Sequence, residues 1–331
     1  MPSTHDKQMP PLGLDLPCLA LHHRDHATAL LSVANHKPVV AGHYTDEPLR
    51  NKVICPTAQG LLLVRDPGTT STFLWNPQSG EEVQLPILGG VQDFVLMHSH
   101  CLLSDMPAAP GCIVLLVEVS NTFIWYCHPG DDHWAKYDYD IGFTILDKDV
   151  YEKDVICPIA ACRGKLYFNA TATELGLLDF SGAEPELSTI AIDSRVAPDG
   201  SYGYRHEDDP GRIFLVESDG ELYMIRLLFP SPYEGGDEIE DATVHKMDFS
   251  VRRWRNVYDL GGRTFLLSRH YFGASCSGGG ELGLRPDHIY FACSRTKSLH
   301  VFGVEEDTYE HHRLDEAPTS DKAFWLLPAQ P

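Results

Sequence analysis

A repeat of about 54 residues is the feature that most restricts the fold of this chain. Turn glycines follow equivalent strand-like segments at Gly60, Gly111, Gly164 and Gly220, at intervals of 51, 53 and 56 residues. Repeats of roughly 40 to 55 residues are typical of β-propeller blades, because one blade cannot bury both of its faces alone. For a chain of 331 residues, this period predicts about six blades.

Each repeat contains four short segments rich in Val, Ile, Leu, Phe and Tyr, which predict four strands. In the clearest unit, residues 53–85, the last turn covers residues 76–80, where Pro77 and Gly80 favour a tight turn. Four further units follow in residues 101–139, 155–192, 213–260 and 264–314. Amphipathic helical windows are hard to find, so the sequence predicts an all-β protein.

We expect the sixth unit to combine both ends of the chain. Its predicted strands are residues 18–23, 28–33 and 38–42 from the N-terminal side and residues 323–327 from the C-terminal side. Pairing of Phe324, Trp325 and Leu326 with N-terminal strands would close the ring and remove open sheet edges. We therefore predict a flexible segment over residues 1–15 and a single propeller domain over residues 16–328. It would have six four-stranded, kelch-like blades, with seven blades as the alternative.

Charge restricts the partners of this chain. The 47 acidic residues outnumber the 26 Lys and Arg residues, which gives a formal net charge of -21. Such a field repels nucleic acid and anionic membranes, so we expect protein partners with a basic surface and no nucleic-acid or membrane partner. Three acidic stretches either attract such a partner or serve as solubilising charge: Glu207-Asp208-Asp209, residues 234–241 and Glu305-Glu306-Asp307.

The sequence has no long apolar run and no basic start followed by an apolar core, which predicts an intracellular protein, cytoplasmic or nuclear. We also expect it to be a monomer. The nine cysteines are an odd number without a C-x-x-C pair, so we interpret them as reduced core residues. Cys157 and Cys162 are the closest pair, but they lack a second pair. Packing as small hydrophobic residues is therefore favoured there over a zinc site.

Seven motifs, in chain order, resemble those of the plant F-box-associated β-propeller, also called the KIB-type domain. They are Cys55-Pro56; Phe73-Leu74-Trp75-Asn76-Pro77 with Gly80-Glu81 and Leu85-Pro86; Gly130-Asp131 with Trp134; Gly164-Lys165-Leu166-Tyr167; Leu215-Val216-Glu217-Ser218 with Gly220-Glu221-Leu222; Asp248-Phe249 with Trp254; and Asp287-His288-Ile289-Tyr290-Phe291. The resemblance covers residues 18 to 328. It implies a scaffold in which Trp134 and Trp254 pack between blades.

The same resemblance implies a protein-interaction function, like that of substrate-recognition propellers in plant F-box ubiquitin-ligase subunits. Members commonly carry an N-terminal F-box, a helical module that docks onto the Skp1 adaptor. In this sequence the first strand-like segment begins near Cys18, which leaves too few residues, and too many prolines, for three helices. We therefore expect no F-box here and no contact with a Skp1-type adaptor.

Two sequence patterns suggest binding chemistry and are better explained otherwise. Residues 278–283 satisfy G-x-G-x-x-G, but they precede a predicted strand at 288–292 instead of opening a helix. We interpret them as part of a glycine-rich loop, residues 273–283, that could present Cys276 or Arg285 to a partner. The clustered histidines lack the spacing of metal ligands, so we interpret them as solvated turn or strand residues: His22, His23 and His26, and His311 and His312.

We predict no catalytic, cofactor-binding or metal-binding residues, and the sequence does not identify the residues that bind a partner. No Gly-x-Ser-x-Gly elbow occurs, and a catalytic triad is recognised by geometry instead of by sequence. The alternative function is an enzyme whose site lies at one end of the propeller channel. A deep pocket with convergent His, Asp and Glu would favour that alternative.

Overall fold

The computed structural model describes residues 9–23, 28–33, 49–119, 121–147, 150–171, 173–182, 184–193, 211–229, 239–268, 273–279, 283–315, 320 and 322–329. Two N-terminal strands come first, β1 (Cys18–His22) and β2 (Thr28–Ser32). Blade 1 follows with β3 (Val53–Pro56), β4 (Leu62–Arg65), β5 (Thr72–Trp75) and β6 (Glu82–Leu85). Its four strands pair antiparallel in chain order, as the sequence predicts.

Blades 2, 3 and 4 have the same four-stranded plan. A short helix, α1 (Asp93–His98), leads into blade 2, which contains β7 (Ser99–Leu103), β8 (Val114–Glu118), β9 (Phe123–Cys127) and β10 (Ala135–Asp138). A separate hairpin, β11 (Phe143–Asp147) and β12 (Val150–Lys153), leads to blade 3, with β13 (Ile159–Cys162), β14 (Lys165–Thr171), β15 (Glu174–Asp179) and β16 (Glu186–Ala191). Blade 4 contains β17 (Gly211–Ser218), β18 (Glu221–Leu228), β19 (Asp241–Asp248) and β20 (Arg253–Val257).

Blade 5 departs from the predicted plan because it has five strands. They are β21 (Arg263–Ser268), β22 (Gly273–Ser277), β23 (His288–Cys293), β24 (Ser298–Gly303) and β25 (Thr308–Arg313). The prediction of a loop from residue 273 is wrong at its start, because β22 pairs antiparallel with β21, while β21 pairs parallel with β23. A Cβ on Gly273 would come within 2.7 Å of Val216 Cγ2, so only a residue this small fits beside blade 4.

The predicted closure of the ring by the two termini is confirmed. The last strand, β26 (Lys322–Leu326), pairs antiparallel with β1, which in turn pairs with β2, and these strands form blade 6. Leu19 lies opposite Trp325 and Ala20 lies opposite Phe324. The strand predicted at residues 38–42 lies outside the described residues. The fold is therefore an all-β propeller of six blades.

The innermost strands form a ring around a central channel. Contacts lead from β26 to β3, β7, β13 and β17, then to the β21–β22 pair and back to β26. Described helical structure is limited to the six residues of α1. None of it has the length and apolar character that a membrane crossing requires.

Six hydrophobic cores hold the ring together, one between each pair of adjacent blades. Trp134 packs in the core between blades 1 and 2, where its indole N–H donates to the Pro86 carbonyl oxygen at 2.9 Å. Trp254 packs in the core between blades 3 and 4. These contacts confirm the inter-blade role that the sequence predicts for both tryptophans.

Part of the N-terminal segment lies against blade 1. The Leu12 N–H donates to the Pro77 carbonyl oxygen at 2.9 Å, and the Met9 N–H donates to Glu82 Oε1 at 2.6 Å. Residues 1–8 lie outside the described residues. The domain boundary between residues 15 and 16 stays a prediction.

Replacement of Trp325 tests how much ring closure contributes to the free energy of unfolding. Trp325 is 1% exposed, and its indole N–H donates to the Leu267 carbonyl oxygen at 2.8 Å. We expect Trp325→Ala to lower the free energy of unfolding by about 3–5 kcal/mol, because it leaves a cavity and an unpaired carbonyl between blades 5 and 6. Urea unfolding measures this change. Tyr258→Ala removes a side chain that is 69% exposed and should shift stability by less than about 0.5 kcal/mol. Equal losses for the two variants would contradict the prediction.

Candidate functional site

A small cavity, with room for about one water molecule, lies at the centre of the ring. Five blades contribute to it through their innermost strands or the turns that follow them. Its lining consists of Ala58, Gln59, His100, Cys101, Leu102, Ile159, Ala160, Ala161, Glu217 and Gly273. The wall therefore presents polar and apolar surface in similar amounts.

Two of the polar side chains, Glu217 and Gln59, form hydrogen bonds to the scaffold. Glu217 Oε1 accepts the Gly220 N–H at 2.7 Å, and Gln59 Nε2 donates to the Leu103 carbonyl oxygen at 3.1 Å. Burial, followed by the nearby Lys322 charge, lowers the pKa of His100 to about 3. A general base needs a pKa near the working pH, so His100 is poorly suited to that role. The described lining holds one His, one Glu and no Asp, which does not match the convergent set that an enzyme site would show.

Lys322 lies beside the channel, where blades 6, 1 and 2 meet. It is 3% exposed, and its Nζ donates to the Met97 carbonyl oxygen at 2.7 Å. Met97 is in the last turn of α1, where backbone carbonyls lack partners within the helix and carry partial negative charge. The Cys55 thiol donates to the neighbouring Leu96 carbonyl oxygen. The end of α1 therefore ties β26 and β3 to the entrance of blade 2.

The thiols around Lys322 are unreactive near neutral pH. Burial lowers the pKa of Lys322, and it raises the pKa values of the Cys55 and Cys101 thiols above the ordinary range. A thiol is nucleophilic as the thiolate, and both thiols are protonated near neutral pH. The cluster therefore stabilises the scaffold and supplies no reactive nucleophile.

The glycine-rich segment proves to be mostly framework where it is described. Gly278 donates to the Gly262 carbonyl oxygen, and Gly279 donates to the Leu284 carbonyl oxygen. Cys276 lies in the inter-blade core, and burial raises its pKa to about 11, so the suggestion that it faces a partner is wrong. Arg285 is partly exposed but forms an ion pair with Glu310, with Nη1 and Oε1 2.7 Å apart.

The two histidine clusters are separate and differently placed. His22 is fully buried and hydrogen-bonds Thr28 Oγ1 through Nδ1, so the expectation that it is solvated is wrong. It is buried because β1 lies between two other strands. His311 is exposed and stacks on the buried His300, while His312 contacts Glu310 at 3.1 Å. His26 lies outside the described residues.

All nine cysteines are buried and free, which confirms their interpretation as reduced core residues. Cys157 packs in the core between blades 2 and 3, whereas Cys162 packs in the core between blades 3 and 4. Within the described ranges, no group of three or more His, Cys, Asp and Glu side chains could hold a metal ion.

The acidic stretches are only partly described. Glu305, Glu306 and Asp307 lie in the turn between β24 and β25, where all three are exposed. Residues 207–209 and 234–238 lie outside the described residues, and the chain resumes with the buried Ile239. The described acidic residues agree with surface charge.

One surface element was missed by the sequence reasoning, the hairpin β11–β12. It exposes Phe143, Ile145 and Tyr151 on the outside of the molecule, and the Phe143 and Tyr151 rings contact each other edge to face at 5.4 Å. The alternation of Phe143, Thr144 and Ile145 could have indicated a strand. This hairpin is the clearest candidate for a contact surface among the described residues.

Comparison with known proteins agrees with the geometry. The sequence profile of the family described as the KIB1-4 beta-propeller matches residues 30–313. A curated F-box protein of Arabidopsis thaliana is 27% identical over 242 residues, which is 68% of this chain and 53% of that protein. The chain thus spans about half the length of the curated relative it matches.

Solved structures are similar to this chain only in outline. A protein of unknown function from Desulfotomaculum acetoxidans is 10% identical with a TM-score of 0.44, covering 95% of this chain and 100% of that one. The Cps50 (Swd1) β-propeller domain of Myceliophteria thermophila is 12% identical with a TM-score of 0.35, covering 91% and 86%. At these scores the likeness carries no information about function.

His100 predicts a pH dependence of stability. The unfolded state binds a proton below about pH 6.5, whereas the folded state does not until about pH 3, so stability falls as the pH drops through this window. Between about pH 7 and pH 5 we expect His100 to account for about 2 kcal/mol of lost stability. His100→Asn should lose that much less in urea unfolding at the two pH values. His133→Asn, which removes an exposed histidine, should behave as the wild type. An equal pH effect in His100→Asn would refute the prediction.

The buried Lys322 predicts a second pH dependence of stability, at alkaline pH. Because its folded pKa is lowered from 10.5, the unfolded state binds more protons just below that value, and stability attributable to Lys322 rises with pH. We expect the melting temperature of the wild type, relative to Lys322→Met, to increase from about pH 8 to about pH 10. Titration of the buried thiols is common to both proteins. The exposed Lys136→Met is the control, and a difference that stays constant with pH would count against the prediction.

Proposed function

The chain belongs to the KIB1-4 β-propeller family, and from this membership we propose that it is a protein-interaction scaffold. The observation that carries the proposal is the match of its propeller to a relative that is an F-box protein. We propose further that the propeller recognises proteins destined for ubiquitination, as the resemblance to substrate-recognition propellers implies. It would act by holding its partner and not by catalysing a reaction.

The distribution of reactive and apolar groups supports a binding role. The thiols and imidazole beside the channel are buried in their neutral forms, whereas large hydrophobic side chains stand exposed on the hairpin β11–β12. Exposed aromatic side chains are typical anchors of protein interfaces. An enzyme site at the channel end is the rival proposal, and the lining of the cavity gives it little support.

The charge of the chain supports a partner with a basic surface. A formal charge of -21 raises the association rate of basic proteins and opposes binding to nucleic acid or anionic membranes. We propose that the protein acts as a monomer in the cytoplasm, the nucleus or both. We propose that the propeller itself does not bind a Skp1-type adaptor.

Affinity purification tests the scaffold proposal. The intact tagged chain, expressed in plant cells, should retain specific proteins in quantitative mass spectrometry, enriched over an equally acidic tagged protein of unrelated fold. Because charge attraction is screened by salt, their recovery should fall between about 0.05 and 0.5 M salt. A role in ubiquitination further predicts that the abundance of at least one such partner changes when the chain is depleted. A clean preparation without specific partners would reject the scaffold proposal.

A further inference from the structure

We propose that the hairpin β11–β12 is the surface on which this protein binds an extended, basic segment of a partner protein. The inference rests on the proposed scaffold function and adds to it a surface and a partner chemistry. It follows from four observations: an exposed apolar face, a less exposed polar face opposite it, two open strand edges and an acidic surround.

The apolar face is concentrated within a few residues. Three of the eight exposed large hydrophobic side chains in the described part of the chain lie here: Phe143, Ile145 and Tyr151, which are 61%, 64% and 60% exposed. The register places Ile145 directly opposite Tyr151, and Phe143 precedes Ile145 by two residues on the same face. An aromatic pair with an aliphatic neighbour is the composition of an interface anchor.

The other face of the hairpin is polar and less exposed than the apolar face. Thr144 and Glu152 lie opposite each other and are only partly exposed. Thr144 Oγ1 donates to Asp154 Oδ1 at 2.8 Å, and the Asp154 N–H donates to the Gly142 carbonyl oxygen at 3.0 Å. These bonds join the two strands at the base of the hairpin, and the higher exposure of Phe143, Ile145 and Tyr151 shows that its apolar face points outward.

Both long edges of this small sheet are open among the described strands. β11 and β12 pair with each other and belong to none of the six blades. Open edges present backbone N–H and C=O groups to which an extended segment can add as a further strand. A two-stranded sheet is only marginally stable in water, so such a strand would also stabilise the hairpin. An extended partner segment is therefore the shape that fits.

Charge determines which segment fits. Residues 136–154 carry six carboxylates and three lysines, and the whole chain adds a net charge of -21. Asp138 and Asp140 are exposed in the segment that leads into the hairpin, where Asp138 forms an ion pair with Lys136. A second copy of this chain would bring the same carboxylates face to face, and nucleic acid or an anionic membrane would be repelled. The segment that fits is a peptide with Lys or Arg alternating with apolar residues.

The test uses linear peptides displayed on phage and selected against the immobilised full chain. Selected peptides are then synthesised, and their Kd is measured by fluorescence anisotropy. We expect peptides in which basic and apolar residues alternate. The triple variant Phe143→Thr, Ile145→Thr and Tyr151→Thr keeps β-propensity and should weaken binding by at least about tenfold. Tyr258→Thr, an equally exposed aromatic on blade 4, should leave the Kd unchanged.

A second variant tests the charge separately. Asp138→Asn with Asp140→Asn keeps the apolar face and should weaken binding by about threefold to tenfold while reducing its salt dependence. Thermal melting establishes that each variant is folded. If the triple variant melts lower than the wild type, this charge variant decides the outcome instead.

The outcomes separate this inference from the scaffold proposal. Peptides that bind the wild type and both hairpin variants equally would overturn the hairpin inference and leave the scaffold proposal standing. Selection of acidic or uncharged peptides would contradict the proposal that the partner segment is basic. A wild-type dimer in sedimentation that the triple variant abolishes would identify a second copy as the occupant, and would overturn the inference too. Failure to obtain either peptides or partners from plant cells would reject both proposals.

Discussion

The pairing of β26 with β1 is the contact on which the rest of the propeller depends. Its five antiparallel residue pairs connect segments about 300 residues apart in the chain. Alternate side chains of β26 also enter two different cores, since Trp325 packs with blade 5 while Phe324 and Leu326 pack with blade 1. One strand therefore joins the two ends of the chain and both neighbouring blades. Without it, two blade faces would be left in water.

Lys322 adds a polar constraint to the same strand. Burying an amine costs free energy, and the hydrogen bond to the Met97 carbonyl offsets only part of that cost. The benefit of the buried amine is that it favours one register of β26 over the others. A slip of β26 by one residue would turn Lys322 away from the end of α1 and would exchange the cores that Phe324 and Trp325 enter. The buried amine thus favours one arrangement of the closing strand over its neighbours, at some expense in stability.

The sequence predicts the parts of this fold that follow from periodicity. Blade number, the four-stranded plan of blades 1 to 4 and the closure by the two termini all follow from a repeat of short apolar segments, and the structure confirms them. Local patterns fail where neighbours impose the structure. α1 is too short for helical periodicity to be visible. β22 is built from Gly, Ala, Ser and Cys, which do not indicate a strand in the sequence. Its small Gly273 fits there because blade 4 lies so close. His22 is buried by strands that are distant in the sequence.

The candidate site was harder to predict, for a related reason. Alternation of apolar residues indicates that a segment is a strand, but it does not indicate which face meets the core. In β11 the apolar face points outward, so Phe143 and Ile145 would have been assigned to the interior. Inside the ring, burial keeps His100 and the thiols of Cys55 and Cys101 neutral. These three groups therefore add no charge to the interior. Recognition can vary at the surface, on loops and on a hairpin outside the six blades, because residues that contribute to no inter-blade core can change without opening the ring.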